Sequence, residues 1–305
     1  MKRTILIILF SAVALNCSMT KFGIRRIVPI MNESRVTFET ETDLEIAETS
    51  LASNLKLLEA LSIHDPENEE LNLFLAEGFA TFSLGFIEDK MEEYENKDDE
   101  KADYHRKRAI NIYNRAKMYA SRVVLELMDL ENISQIENMK EDEFKSRLDK
   151  LDAEDSVKPV FWFAFASGAS INLNRDNMDA VGQLAKVEIM MAKVKEWDSN
   201  YYFGGPYLFE GIYYGARSKD MGGKPERAKK AFDAAAAVTK KKLLLVPYFY
   251  AKTYCVQNQD KKCFEESLNY VIETPVSIFP EQKLANTLAK KKAKRLLAQK
   301  DDLFL

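Results

Sequence analysis

The sequence predicts an all-α protein, an array of helical hairpins closed by a C-terminal capping helix, and three observations predict it. Only 8 prolines interrupt 305 residues, while alanine, leucine, glutamate and lysine are abundant. Apolar residues recur near a 3.6 period through most of the chain. The third observation is a spacing that repeats: a small residue late in one helix, then, in the next helix, a first position followed by a bulky residue four later and a small or apolar one three after that.

The N-terminus reads as targeting. Lys2 and Arg3 precede the apolar run from Ile5 to Phe10 and the small residues after it, and Cys17 follows, the layout of a secretory signal peptide. Val13-Ala14-Leu15-Asn16-Cys17 resembles a bacterial lipobox, with Asn16 and Ala14 departing from its usual residues. Residues 1–16 are expected to be a signal peptide, and Cys17 is either an acylated N-terminal residue or an incidental cysteine after a plain signal. Removing Lys2 and Arg3 takes the formal charge from −4 to −6. Acyl chains would hold the chain to a membrane, each buried methylene contributing roughly 0.8 kcal/mol. From Ser18 to Glu39 no helical period is visible, so residues 17–42 are expected to form a tether, leaving 43–305 as the helical domain.

Within that domain, Leu44, Ile46, Ala47, Leu51, Leu55, Leu58 and Leu61 mark a helix from Asp43 to Ile63, stopped by His64-Asp65-Pro66. Four hairpins follow. Gly78 and Phe82 are followed by Ala109, Tyr113 and Ala116, after an insertion at Lys90–Arg106; Gly168 and Ile171 by Ala180, Leu184 and Val187; Gly211 and Tyr214 by Ala228, Phe232 and Ala235; Ala251 and Tyr254, less cleanly, by Phe264, Leu268 and Val271. The helices of such a pair cross where the small residues sit, and the bulky residue fills the gap to the next pair, the logic of tetratricopeptide-like repeats in a superhelical array. Both insertions, Lys90–Arg106 and Asp129–Val157, are expected to be surface excursions. A last segment, Pro280–Leu297, sets Leu284, Leu288, Ala293 and Leu296 against its lysines, as a capping helix would.

The order of these pieces carries a resemblance. Tyr201-Tyr202-Phe203-Gly204-Gly205-Pro206 before Gly211, the GGKPERAKKAF turn from Gly222, RAINIYNRAKMYA from Arg108 and LANTLAKKKAKRLLAQKDDLF from Leu284 together resemble the T-component family of tripartite ATP-independent periplasmic (TRAP) transporters. The resemblance implies a periplasmic, lipid-anchored protein of tetratricopeptide-like helices that assembles as a homotrimer. It implies a partner, the soluble substrate-binding P-component, and a cleft or pore for a small, apolar ligand.

In such a stack the first helices line the concave face, which nominates Asn72, Leu75, Phe79 and Phe82; Trp162, Phe165, Ala169 and Asn172; Leu208, Ile212 and Gly215; Tyr248, Lys252 and Cys255. Apolar walls with a few polar groups suit a small-molecule site, although aromatic stripes serve equally as core. Lys252 would pair with a ligand carboxylate if it faces the cleft, and otherwise is a surface lysine; Arg217 is the weaker alternative. Cys255 and Cys263 flank a short polar turn and are either bridged or two inert thiols.

Catalysis finds no support. His64 and His105 stand in a helix stop and a charged insertion, Gly222-Gly223-Lys224-Pro225 lacks what a phosphate loop needs, and no cofactor or metal site is apparent. The acidic balance excludes a strongly basic nucleic-acid face, and the runs Lys240–Lys242 and Lys290–Lys292 read as solvated helix faces. An envelope scaffold that binds peptide segments is the alternative reading, against which the aromatic concave face counts.

Overall fold

The computed structural model describes residues 19–304; the signal segment and Cys17 lie outside them. The described residues are helical throughout, without a strand. Local signals set the ends of the helices. Helix α3 (Leu44–Ser62) starts where the Asp43 carboxylate accepts from the N–H groups of Glu45 and Ile46, and Asn68 and Asp98 cap α4 (Glu69–Phe82) and α6 (Asp99–Leu127) in the same way. Helix α13 (Pro225–Val238) opens at Pro225, whose missing N–H would have had no partner there.

The segment expected to be an irregular tether is helical at 19–33 (α1) and again at α2 (Val36–Glu39), and it packs on the domain. Ile24 and Val28 are buried, while Arg25 reaches Asp65 at 2.8 Å and Arg35 pairs with Glu77. Two buried apolar side chains leave too short a stripe for a visible period, and the ion pairs join residues about forty apart in sequence.

Helix α4 continues through a π-helical segment, Ser83–Ile87, into α5 (Glu88–Tyr94). The run Glu69–Tyr94 is long and apolar enough to cross a bilayer, but 72% of its apolar window is buried inside the protein, as in a core helix. It packs on α6, which packs in turn on α9 (Ala153–Leu173); α9 also meets α11 (Leu184–Trp197), and α12 (Tyr201–Gly215) packs on α13. The small residues named from sequence sit at these crossings. A Cβ on Gly211 would stand 2.9 Å from the Phe232 ring, and one on Gly168 would stand 3.1 Å from Val187.

The second insertion is no surface excursion. It forms α7 (Ile133–Asn138) and α8 (Glu141–Leu148), whose Ile136, Phe144 and Leu148 are buried in the main core. The first is partly absorbed into α5 and α6, with Met91 and Ala102 buried. At the C-terminal end, α14 (Leu245–Phe249) runs into a second π segment, Tyr250–Cys255, and packs with α15 (Lys261–Glu273) and α16 (Lys283–Ala298) around a smaller core of Tyr248, Phe264, Leu268 and Ala293. Cys255 and Cys263 are bridged, their Cα atoms 5.6 Å apart.

Candidate functional site

Helices α9 and α12 form two walls of one cavity. On α9, Phe161, Phe165, Gly168 and Asn172 recur at helical spacing and line it. Helix α12 meets it through an unusual entry: Tyr202, Phe203 and Gly204 adopt left-handed φ values of 46°, 59° and 79° before the regular helix begins near Pro206. A non-glycine residue in that region costs about 1–2 kcal/mol. Packing and hydrogen bonding offset the cost. The Gly204 N–H donates to the Asn200 carbonyl at 3.0 Å, the Tyr202 ring sits edge-on to Trp162 at 4.7 Å, and Phe203 meets Phe279 at 5.5 Å. A Cβ on Gly204 would stand 3.2 Å from that of Val238, so the third residue is glycine for space as well as φ. The turn places Tyr202 and Phe203 in the cavity wall.

The cavity has a volume of about 970 Å³, at the upper end of the range for small-molecule sites. Leu55 of α3, Gly78 and Glu88 of α4 and α5, and Leu288 of α16 contribute to it, and so does the N-terminal arm through Ile30, Arg35 and Phe38. Its polar groups sort by partner. Arg35 is neutralised by Glu39 at 2.8 Å and by Glu77. Burial pushes the Glu77 carboxyl up despite that arginine. Glu88 accepts from the Tyr113 hydroxyl, and burial raises its carboxyl too, against the pull of Lys292. Lys292 faces Glu92 at 3.1 Å. Arg175 and Arg217 have no carboxylate within 4 Å among the described residues.

An all-helical chain is what the sequence resemblance implied, and the sequence itself decides the family: residues 40–304 match the TRAP transporter T-component family. The chain belongs to that family. It is also similar to an uncharacterized protein of Treponema pallidum (strain Nichols), 22% identical over 273 residues that cover 88% of this chain and 82% of that protein. Membership associates this T-component with a TRAP transport system, in a family of transport components rather than enzymes.

The cleft residues nominated for this T-component divide. Trp162, Phe165, Asn172, Leu208 and Ile212 line the cavity, as do Ala169 and Arg217. Phe79, Phe82, Tyr248 and Lys252 do not. Phe79 is core, stacked on Tyr119 with Arg115 over its ring, and Phe82 packs on Phe86. Tyr248 is 1% exposed in the C-terminal core. Asn72 and Leu75 are buried as well, Asn72 donating to the Pro66 carbonyl. Helix α4 lines the cavity with Phe74, Glu77, Gly78 and Thr81 instead, a face rotated from the one expected there.

Lys252 has a partner of a different kind. Its ammonium lies 2.5 Å from Glu92, which also holds Lys292 and Arg295 and is approached by the Tyr248 hydroxyl at 3.5 Å. Asp89 takes Arg295 at 2.8 Å and Lys291 at 2.7 Å. Burial alone would raise the Glu92 carboxyl, but Lys252, Lys292 and Arg295 outweigh it and hold it far below the usual carboxylate range. Burial would likewise lower the Lys252 ammonium, and Glu92 reverses that. The lysine run at 290–292 is therefore not a solvated face throughout: Lys292 is 3% exposed. No local pattern could have paired residues 200 apart; the hint was three acidic residues, Glu88, Asp89 and Glu92, continuing an apolar helix without a break.

Proposed function

We propose that this T-component holds or conducts a small, apolar or carboxylate-bearing ligand in the cavity between α9 and α12, and docks the soluble P-component of its TRAP system. The carrying observation is the 970 Å³ cavity walled by aromatic and aliphatic side chains. Its apolar lining weighs against the alternative, an envelope scaffold whose groove would need polar groups to hold peptide backbones.

Within this proposal the helices stack as tetratricopeptide-like hairpins, with α16 as the cap. The protein works in the periplasm, anchored through acylated Cys17, as a homotrimer. Helix pairs crossing at Gly168 and Gly211 support the first of these; the N-terminal signal pattern supports the second; the homotrimer rests on the family alone.

The test is gentle purification of the native protein with its neighbours, followed by mass spectrometry of proteins and small molecules. A soluble binding protein and an apolar ligand should accompany a trimer. A monomer bringing neither would overturn the reading.

A further inference from the structure

We propose that the cavity's ligand is a single-chain amphiphile with an anionic head, a long-chain carboxylate being the simplest, seated with its head between Arg175 and Arg217 and its chain running toward Phe161. This rests on the ligand-holding reading above and specifies it.

The orientation follows from two contacts between the walls. A Cβ on Gly205 would stand 2.7 Å from Phe161, and one on Gly168 would stand 3.3 Å from Phe209. Both contacts advance in the same chain direction, from 161 to 168 on α9 and from 205 to 209 on α12, so the two helices run parallel. Their C-terminal ends, each followed by an arginine that lines the cavity, therefore lie at one end of it. From the Phe161 contact to those ends the helices rise roughly 15–18 Å, a span long enough for an extended alkyl chain between Phe165, Leu208, Phe209 and Ile212.

The two ends differ in charge. At the Phe161 end, next to Tyr202, Arg35 is neutralised by Glu39 and Glu77. The other lining cation, Lys292, is bound to Glu92, and the remaining lining carboxylate, Glu88, is bound to Tyr113. The Arg175–Arg217 end has two guanidinium groups with no ion-pair partner within 4 Å among the described residues, the nearby Glu188 accepting from the Tyr213 hydroxyl at 3.1 Å.

Each guanidinium is positioned but not used up. Arg175 donates through Nε to the Asn172 carbonyl at 3.1 Å and through Nη2 to the Asn172 side chain. Arg217 lies over the Tyr213 ring, 3.8 Å from its centroid. A guanidinium has five N–H donors in a fixed fork, so both retain donors for a carboxylate, the geometry arginine binds best. Ser218, half-buried and next to Arg217 in sequence, also lines the cavity. An apolar slot that ends in two cations lacking anions selects a molecule built the same way.

The test is competition on the purified full-length chain carrying neutral N-phenyl-1-naphthylamine in the cavity, at neutral pH. Dodecanoate should displace the dye at a concentration at least about tenfold below that of dodecan-1-ol, the order expected of charge-assisted hydrogen bonds. In the double variant Arg175→Gln, Arg217→Gln, dodecanoate should fall to the level of the alcohol while the alcohol's own midpoint stays put, which also reports an intact cavity. Equal displacement by acid and alcohol in the parent chain, or an acid preference that survives the double variant, would overturn the head-group assignment and leave the ligand-holding reading standing. Failure of the dye and both competitors to bind would overturn the ligand-holding reading itself.

Discussion

Replacing Glu92 by glutamine should cost about 3–5 kcal/mol, the loss expected when one partner of a buried ionic cluster is removed and the others are left uncompensated. Glu92 is 7% exposed as a residue, and its oxygens meet Lys252 at 2.5 Å, Lys292 at 3.1 Å and Arg295. Glutamine keeps the shape and one acceptor but removes the charge, leaving three cations beside Asp89, whose ion-pair partners among the described residues are Arg295 and Lys291. At about 2–3 °C per kcal/mol for a chain of this size, the midpoint of thermal unfolding at neutral pH should drop by roughly 6–15 °C. Circular dichroism would read it. The pH dependence supplies the sign. The folded-state carboxyl of Glu92 is depressed, so its contribution is fully present above the unfolded value of about 4.3 and is lost as pH falls below it. The gap between parent and variant should therefore be constant from neutral pH to about 5 and narrow under more acid conditions. Adding Lys292→Met to the variant should restore part of the midpoint. A Glu92→Gln chain that melts within about 2 °C of the parent at neutral pH, or a gap that does not narrow in acid, would refute the argument.

Three further outcomes are expected. Phe165→Glu or Ile212→Glu, at half-buried positions in the cavity wall, should abolish retention of an apolar dye while leaving helicity largely intact; unfolding instead would mean that these side chains are core. Gly211→Ala should destabilise by about 1–3 kcal/mol, because its Cβ would stand 2.9 Å from the Phe232 ring, and an unchanged melting midpoint would show that the ring yields freely. Reducing the Cys255–Cys263 bridge, which closes a loop of sequence separation 8, should lower stability by roughly 2–3 kcal/mol; a Cys263→Ser chain that melts like the parent in oxidising buffer would contradict that.

How much of this was legible in the sequence depended on the range of the interaction that encodes it. The start of α3 at Asp43, the opening of α13 at Pro225, and the small residues Gly168 and Gly211 at close helix approaches were readable, because each depends on a local cap or on the size of one residue at a helical spacing; that Phe232 packs on Gly211 of its own hairpin, rather than filling the gap to the next, was not. Trp162, Phe165, Leu208 and Ile212 lie in the cavity wall, where α9 and α12 present the face that a helical register from Gly168 and Gly211 assigns. Phe79 and Tyr248 pack in the core instead, because hydrophobic periodicity identifies an inward face without saying whether a neighbour or a cavity lies behind it. The charge cluster stayed hidden for a different reason: Glu92 finds Lys252, Lys292 and Arg295 only after the chain has folded across 160 to 203 residues. The left-handed run at Tyr202–Gly204 was hidden as well, since nothing in a tyrosine or phenylalanine signals a positive φ.

The N-terminal arm has a practical and mechanical consequence. Ile30, Arg35 and Phe38 form part of the cavity wall, and from them the chain runs back through α1 to the segment that contains Cys17. Whatever grips the N-terminus thus holds one side of the container by a short handle, and a pull there would act first on the pair between Arg25 and Asp65 and then on the clasp between Arg35 and Glu77. A recombinant chain trimmed at Asp43, the boundary that hydrophobic periodicity recommends, would lack that side and present an open trough. Affinities measured on it would describe a vessel with one wall missing.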